Sequence, residues 1–273
     1  SDVDLLTIIT PHNSHARLAR QCLRAGRHVV CEKPLAITTA EVDGMIASAA
    51  KAGVMLSTYH NRHWDGRIRL ARRLIRERRV LGELVRIEAQ RGGYGHPGDW
   101  WRSSRGISGG ILYDWGVHLL EYALQLIDGG LVEVCGFAHH GHWGPRTRWR
   151  QDANEDEARA LARFDDGTHV ALTISQLDHC LGPAWLRVTG TTGSLEIGAR
   201  TTTHVTTRAG RRVTTEYTNP PDQHQCYYDN IRDHLLGRAE LIITAEWSRR
   251  PIHIIDLAVR SARRGTALKA KYA

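Results

Sequence analysis

The first sixty residues alternate between short apolar runs and longer segments of mixed polarity. Residues 3–10 form an Ile- and Leu-rich run ending at Pro11, which reads as a buried strand. His28–Cys31 and residues 54–58 are two more such runs. Between them lie two segments of helical length. One spans about 14–25, with Gly26 as a stop and Asn13 or Ser14 as N-cap; the other starts at Thr38 or Thr39 and runs to Ala52, with Gly53 as a stop. Strand, helix, strand, helix, strand with short links predicts parallel strands of a doubly wound sheet. Another helix is expected over about 65–79.

The pattern changes after Gly82. Residues 83–90 alternate as a half-buried strand does. Further strands are expected at 132–139, 157–164, 169–176, 185–189, 194–197, 204–207 and 212–217, with Asp166-Gly167 as a tight turn. A helix is expected to start near Asp114, and two more, at about 222–236 and 245–264, close the chain. The whole predicts an α/β protein. An incomplete doubly wound part, residues 1–62, precedes an α+β part, residues 63–273, with an open, mostly antiparallel sheet. The final helices are expected to pack back on the first part. A broad apolar face on that sheet would favour homo-oligomers, a homodimer or a homotetramer.

Composition narrows the class. The 273 residues are 41% hydrophobic and 24% charged, the balance of a globular chain with a substantial core. No run approaches the ~20 apolar residues that cross a bilayer, and no basic-then-apolar leader opens the sequence. Five scattered cysteines without a CxxC pair argue against a disulfide framework or a cysteine-built zinc site. A cytoplasmic protein without a membrane partner is expected. The net charge is +8, yet the basic clusters at Arg72-Arg73, residues 76–79 and Arg263-Arg264 accompany no nucleic-acid module, so no nucleic-acid partner is expected.

Three groups of residues carry candidate chemistry. Thr10-Pro11-His12-Asn13-Ser14-His15 follows the first strand, and Glu32-Lys33-Pro34 follows the second. Ligands of open α/β sheets bind outside such strand ends. Gly109-Gly110 precedes Asp114 and His118, four residues apart as neighbours on one helix face are. The glycines would let a ligand approach the backbone. An ammonium, a carboxylate and an imidazole together can handle a proton and a developing negative charge on oxygen. Gly93-Tyr94-Gly95-His96-Pro97-Gly98 fits a dinucleotide fingerprint by letter only. Pro97 removes an N–H, no amphipathic helix follows, and a substrate-side loop is the better reading. His139, His140 and His142 with Glu155 and Asp156 form the one arrangement that suggests a divalent ion, as in a metal-dependent hydrolase or isomerase, but adjacent strand residues point to opposite faces.

In order and spacing, Thr10-Pro11-x-Asn13-x-His15, Glu32-Lys33-Pro34, Asn61-Arg62, Trp101-Arg102 and Gly109-Gly110-(x)3-Asp114-(x)3-His118 resemble the Gfo/Idh/MocA family, NAD(P)-dependent sugar and polyol oxidoreductases. The resemblance implies a Rossmann domain followed by an open-sheet domain. It implies Lys33, Asp114 and His118 as the catalytic set, and Thr10, Pro11, Asn13, His15, Glu32 and Lys33 along the nicotinamide side of bound NAD or NADP. A sugar or cyclitol secondary alcohol would be oxidised. His118 would be the base, Asp114 would orient the ring and favour the imidazolium, and Lys33 would meet the alkoxide. Arg62, Tyr94, Trp100, Trp101 and Arg102 are candidates for the substrate wall, and no metal is expected. The family's glycine-rich phosphate loop has no counterpart from Ser1 onward. The sequence is expected to be either part of a longer protein or a short form, and the latter makes a binding or assembly protein without cofactor the rival reading.

Overall fold

The computed structural model describes residues 2–180, 182 and 184–272. Strand β1 (Leu5–Ile8), helix α1 (His12–Arg24), β2 (His28–Cys31), α2 (Thr39–Ala52) and β3 (Leu56–Thr58) follow one another as expected. The strands pair in parallel in the order β1-β2-β3. Val29, Val30 and Cys31 in central β2 are fully buried, because both faces are covered. A capping box starts α2: the Thr38 hydroxyl accepts from the Glu41 amide, and the Glu41 carboxylate accepts from the Thr38 amide. Gly53 ends the helix in the left-handed region, at φ 66°. By contrast, α1 begins two residues before the expected start. Pro11 precedes its first turn and no side chain caps it; the Ser14 hydroxyl bonds back to the Pro11 carbonyl. The helix expected over 65–79 is an α-helix, α3 (Gly66–Arg72), running into a π turn at Arg73–Glu77.

The second half supplies β4 (Leu84–Gly92), β5 (Leu131–His139), β6 (Glu157–Phe164), β7 (His169–Ser175), β8 (Leu186–Gly190), β9 (Ser194–Ile197), β10 (Thr201–Arg208), β11 (Arg211–Thr218) and β12 (Leu268–Lys269). They form a nine-stranded sheet in the order β11-β10-β9-β8-β4-β7-β6-β5-β12, antiparallel except where β4 meets β7. The two-residue β12 is too short to leave a periodic signal. Four helices complete the chain: α4 (Arg105–Ser108), α5 (Gly116–Leu124), α6 (Cys226–Leu235) and α7 (Ala245–Arg264).

Helices α5 and α7 pack on the sheet face that carries Ile87, Ala160, Leu172 and Val188. All nine residues of α5 are buried. Close packing of α7 requires a glycine in β5: a Cβ at Gly136 would lie 1.9 Å from the Ala258 carbonyl oxygen. On its other side α7 meets α2, where the Thr39 hydroxyl donates to Asp256 at 2.8 Å. One apolar core therefore runs from Ile8 and Leu23 to Leu119 and Ile254. The opposite face of the sheet is mostly charged, with ion pairs Arg86–Glu88, Arg163–Glu133 and Arg187–Glu196 beside exposed Phe137 and Leu161. It is not the broad apolar face that would by itself signal assembly.

Candidate active site

The C-terminal ends of β1, β2 and β3 deliver Thr10-Pro11, Glu32-Lys33-Pro34 and His60 to one side of the small sheet. The Lys33–Pro34 peptide is cis. Lys33 Nζ donates to Asp114 Oδ1 at 2.6 Å and to the Asp114 carbonyl at 3.1 Å. Arg102 Nε lies 3.7 Å from the same carboxylate oxygen.

Asp114 is not on the helix with His118. It ends a 3-10 turn, Ile111–Tyr113, and α5 starts beyond it at Gly116. Nor does its side chain cap that helix, since it faces Lys33. The preceding glycines have positive φ, 95° at Gly109 and 132° at Gly110. They make room for the protein's own groups rather than a ligand. A Cβ at Gly110 would sit 2.8 Å from Glu155 Oε2, and one at Gly109 2.8 Å from the Tyr113 ring. Glu155, which motif reading offered as a metal ligand, instead accepts the Ile111 amide at 2.9 Å and so pins the turn that presents Asp114. Its neighbour Asn154 donates to the Arg102 carbonyl at 2.7 Å.

Burial opposes charge on Asp114, but the Lys33 ammonium, helped by Arg102 and His12, holds its carboxyl below the usual carboxylate range. His118 is buried, and its ring packs against Trp115 at 5.5 Å. Burial, then the cations Lys33, Arg62 and Arg91 together with His60, push His118 well below the ordinary imidazole value. It is a neutral base at physiological pH. Its Nδ1 is sealed from solvent without a protein partner, whereas Nε2 is not sealed. Two more histidines behind the strand ends are also neutral. His12 falls to about 4, chiefly through burial, with Nδ1 donating to the Ser108 carbonyl and Nε2 buried and unpartnered. His60 falls to about 4 for the same reason.

The structure sorts the other sequence candidates. Trp100 and Arg102 line a cavity of about 110 Å³ together with Asp114, Trp115, Trp143 and Gln176. Trp101 stands edge-on to His12 at 4.8 Å, beneath the Arg102 guanidinium. Arg62 lies over the Trp115 ring and 3.6 Å from Asp65. Exposed Tyr94 does not line that cavity; it stacks on His179 at 3.9 Å and packs behind the cavity's Trp143 at 5.4 Å. On the cofactor side, Asn13 reaches the Gly106 carbonyl and the Thr10 hydroxyl meets Ser14. The Glu32 carboxylate accepts the Lys33 amide. His15 is fully buried, its two ring nitrogens each 2.8 Å from a carbonyl oxygen, of Thr10 and of Pro34. It ties the two strand-end loops together and has no ring nitrogen left for a ligand. No helix follows Gly98 closely enough to make the 93–98 loop a phosphate cradle; Trp100 Nε1 bonds back to Pro97 instead.

The histidines at 139, 140 and 142 do not gather with Glu155 and Asp156 among the described residues. The Asp156 carboxylate is taken by the amides of His142 and Trp143. Asp65, Asp222 and His224 do converge, within 4.8 Å, but Asp65 is already bonded by Tyr122 and flanked by Arg62 and Arg67. Sequence reading missed His60, named His12 only as part of the strand-end run, and offered Glu155 only as a metal ligand. The run Gly116–Leu124 did carry one usable sign: it is apolar on every face apart from His118 and Glu121, which marks a buried helix and hence a buried His118.

Comparison with known proteins settles the lineage. Residues 1–60 match the model of the GFO/IDH/MocA oxidoreductase family's NAD-binding Rossmann fold, and residues 68–196 match its C-terminal domain. The chain belongs to the GFO/IDH/MocA family. It is 27% identical to uncharacterized oxidoreductase YdgJ of Escherichia coli (strain K12) over 98% of this chain and 81% of that one. It is 34% identical to scyllo-inositol 2-dehydrogenase (NADP(+)) IolW of Bacillus subtilis (strain 168) over 45% of this chain and 35% of IolW. A crystal structure of aldose-aldose oxidoreductase from Caulobacter crescentus, complexed with glycerol, superposes with a TM-score of 0.81 at 26% identity, over 98% of this chain and 79% of that one. The GFO/IDH/MocA fold thus accounts for both halves, the parallel strands and the open sheet.

Proposed function

We propose that this GFO/IDH/MocA protein transfers hydride between a secondary alcohol of a sugar or cyclitol and the nicotinamide of NAD or NADP. The observation that carries the reading is the Lys33–Asp114 pair at the end of β2, with the Lys33 charge bearing on a neutral, buried His118. The residues present fit the nicotinamide end of a dinucleotide. The first turn of α1 lacks a side-chain cap, His12 Nε2 is a buried orphan, and both lie at the strand ends where such ligands bind. Thr10, Pro11, Asn13, Glu32 and Lys33 would hold that end. When bound, the nicotinamide accepts or returns the hydride.

The protein's own groups do the rest. His118 Nε2, the nitrogen left open, takes the hydroxyl proton. Lys33 has three N–H donors, and two of them are spent on Asp114. The third faces the developing alkoxide, which favours it electrostatically. The work of Asp114 differs from that inferred from spacing: it aims the lysine rather than stabilising an imidazolium. Trp100 and Arg102 form the wall beside Asp114, an aromatic face for sugar C–H groups and a guanidinium for hydroxyls. The names of IolW and of the aldose-aldose oxidoreductase point to the same class of substrate. The reading extends to a cytoplasmic homodimer or homotetramer built through the open sheet. Five free cysteines support the first part, and exposed Phe137 and Leu161 the second. Turnover of a panel of cyclitols and aldoses with each dinucleotide tests the activity.

A further inference from the structure

A histidine that accepts a proton at Nε2 must carry its own proton on Nδ1. That N–H then needs an acceptor, because a buried unpaired donor is left with its full desolvation penalty. Catalytic histidines ordinarily obtain one from a carboxylate or a backbone carbonyl. His118 has neither: Nδ1 is sealed from solvent, and no protein group lies within hydrogen-bonding distance. Asp114, the carboxylate nearest in sequence, is spent on Lys33.

His60 is the neighbouring imidazole with matching chemistry. It stands at the end of β3, is 1% exposed, and both of its ring nitrogens are buried without a protein partner. The two imidazoles lie edge to face, ring centres 6.4 Å apart and planes at 87°. That is too far for a direct hydrogen bond and suits one bridging water, which needs polar partners on both sides. The charged groups around the pair offer Nδ1 no free acceptor, and the buried, unpartnered Thr58 hydroxyl lies two residues before His60. Lys33, Arg62 and Arg91 bear on His118, and all are cations with donors only. The one carboxylate bearing on His60 is buried Glu121, already held by His63 at 2.6 Å and by Gln125.

We infer that His60 is a positioning residue for His118: one internal water accepts a hydrogen bond from His118 Nδ1–H and donates one to a His60 ring nitrogen, and this chain favours the tautomer that leaves Nε2 free as base. The inference rests on the dehydrogenase reading only for what His118 does; the tautomer itself is a property of the ligand-free protein.

The test reads the ring-nitrogen chemical shifts of His118 in the ligand-free protein and in two variants. His60→Gln keeps an acceptor, and His60→Leu removes it. His118 is expected on the Nδ1–H tautomer in the parent and in His60→Gln, and on Nε2–H in His60→Leu. With substrate, kcat in His60→Leu is expected to fall on the order of 10²-fold, with retention in His60→Gln and unchanged dinucleotide affinity in both. A parent His118 protonated on Nε2 overturns the inference, and that measurement needs neither variant. So does one unchanged tautomer across all three proteins. If the parent oxidises no polyol while the His118 tautomer still follows residue 60, the dehydrogenase reading fails and the positioning role stands.

Discussion

Lys33 donates twice to Asp114, to its carboxylate at 2.6 Å and to its backbone carbonyl at 3.1 Å, across 81 residues of sequence. The pair joins the strand-end loop of the Rossmann part to the turn ahead of α5. It sets the lysine's remaining N–H as a directed donor rather than a freely rotating charge.

Asp114→Asn should therefore damage the lysine's aim more than any binding surface. We expect kcat to fall by about 10²–10⁴-fold, with dinucleotide affinity little changed and stability lowered by about 2 kcal/mol. Steady-state kinetics, fluorescence titration with NADH and NADPH, and thermal denaturation of the same variant give all three quantities. A loss confined to KM would assign Asp114 to substrate binding instead.

Acid should destabilise the protein through its buried neutral histidines. In the unfolded chain they gain protons near the ordinary imidazole value of 6.5, while folded His12 and His60 resist down to about 4. Over that window the unfolded state binds more protons, so stability falls as pH drops from about 6.5 to about 4, then levels. His118, shifted the same way by burial, extends the loss to lower pH. Denaturant melts across this range should show a decline of a few kcal/mol, shallower in His60→Gln.

Gly110→Ala should be costly for reasons internal to the protein. A side chain there meets the Glu155 carboxylate at 2.8 Å and is strained at φ 132°. A loss of about 2–3 kcal/mol is expected, along with displacement of the turn that carries Asp114. A stable variant with weaker substrate binding would restore the idea that this glycine makes way for a ligand.

The elements legible in the sequence are those set by local rules. The apolar runs of β1 to β3, the Thr38-x-x-Glu41 box and the αL stop at Gly53 are all readable within a few residues. Asp114 and His118 misled because spacing of four implies one helix face, while the turn that separates them is fixed by Glu155, far along the chain. His60 left no sign at all: its importance lies in which groups fail to reach it, and that depends on α5 packing against the 3-10 turn Asn61–Trp64 that follows it. His15 was legible as a strand-end residue but not as a bridge, since its partners Thr10 and Pro34 meet only in the folded sheet.

The proposed activity has three side chains from two lobes perform one hydride and proton exchange. It is tested most directly by following nicotinamide reduction over the cyclitol and aldose panel with the parent protein and His118→Ala. Turnover with at least one polyol is expected in the parent, and a loss of about 10²–10⁴-fold in the variant at unchanged dinucleotide affinity. A parent that binds dinucleotide yet reduces none with any polyhydroxylated alcohol, or a variant that turns over as fast as the parent, would contradict it.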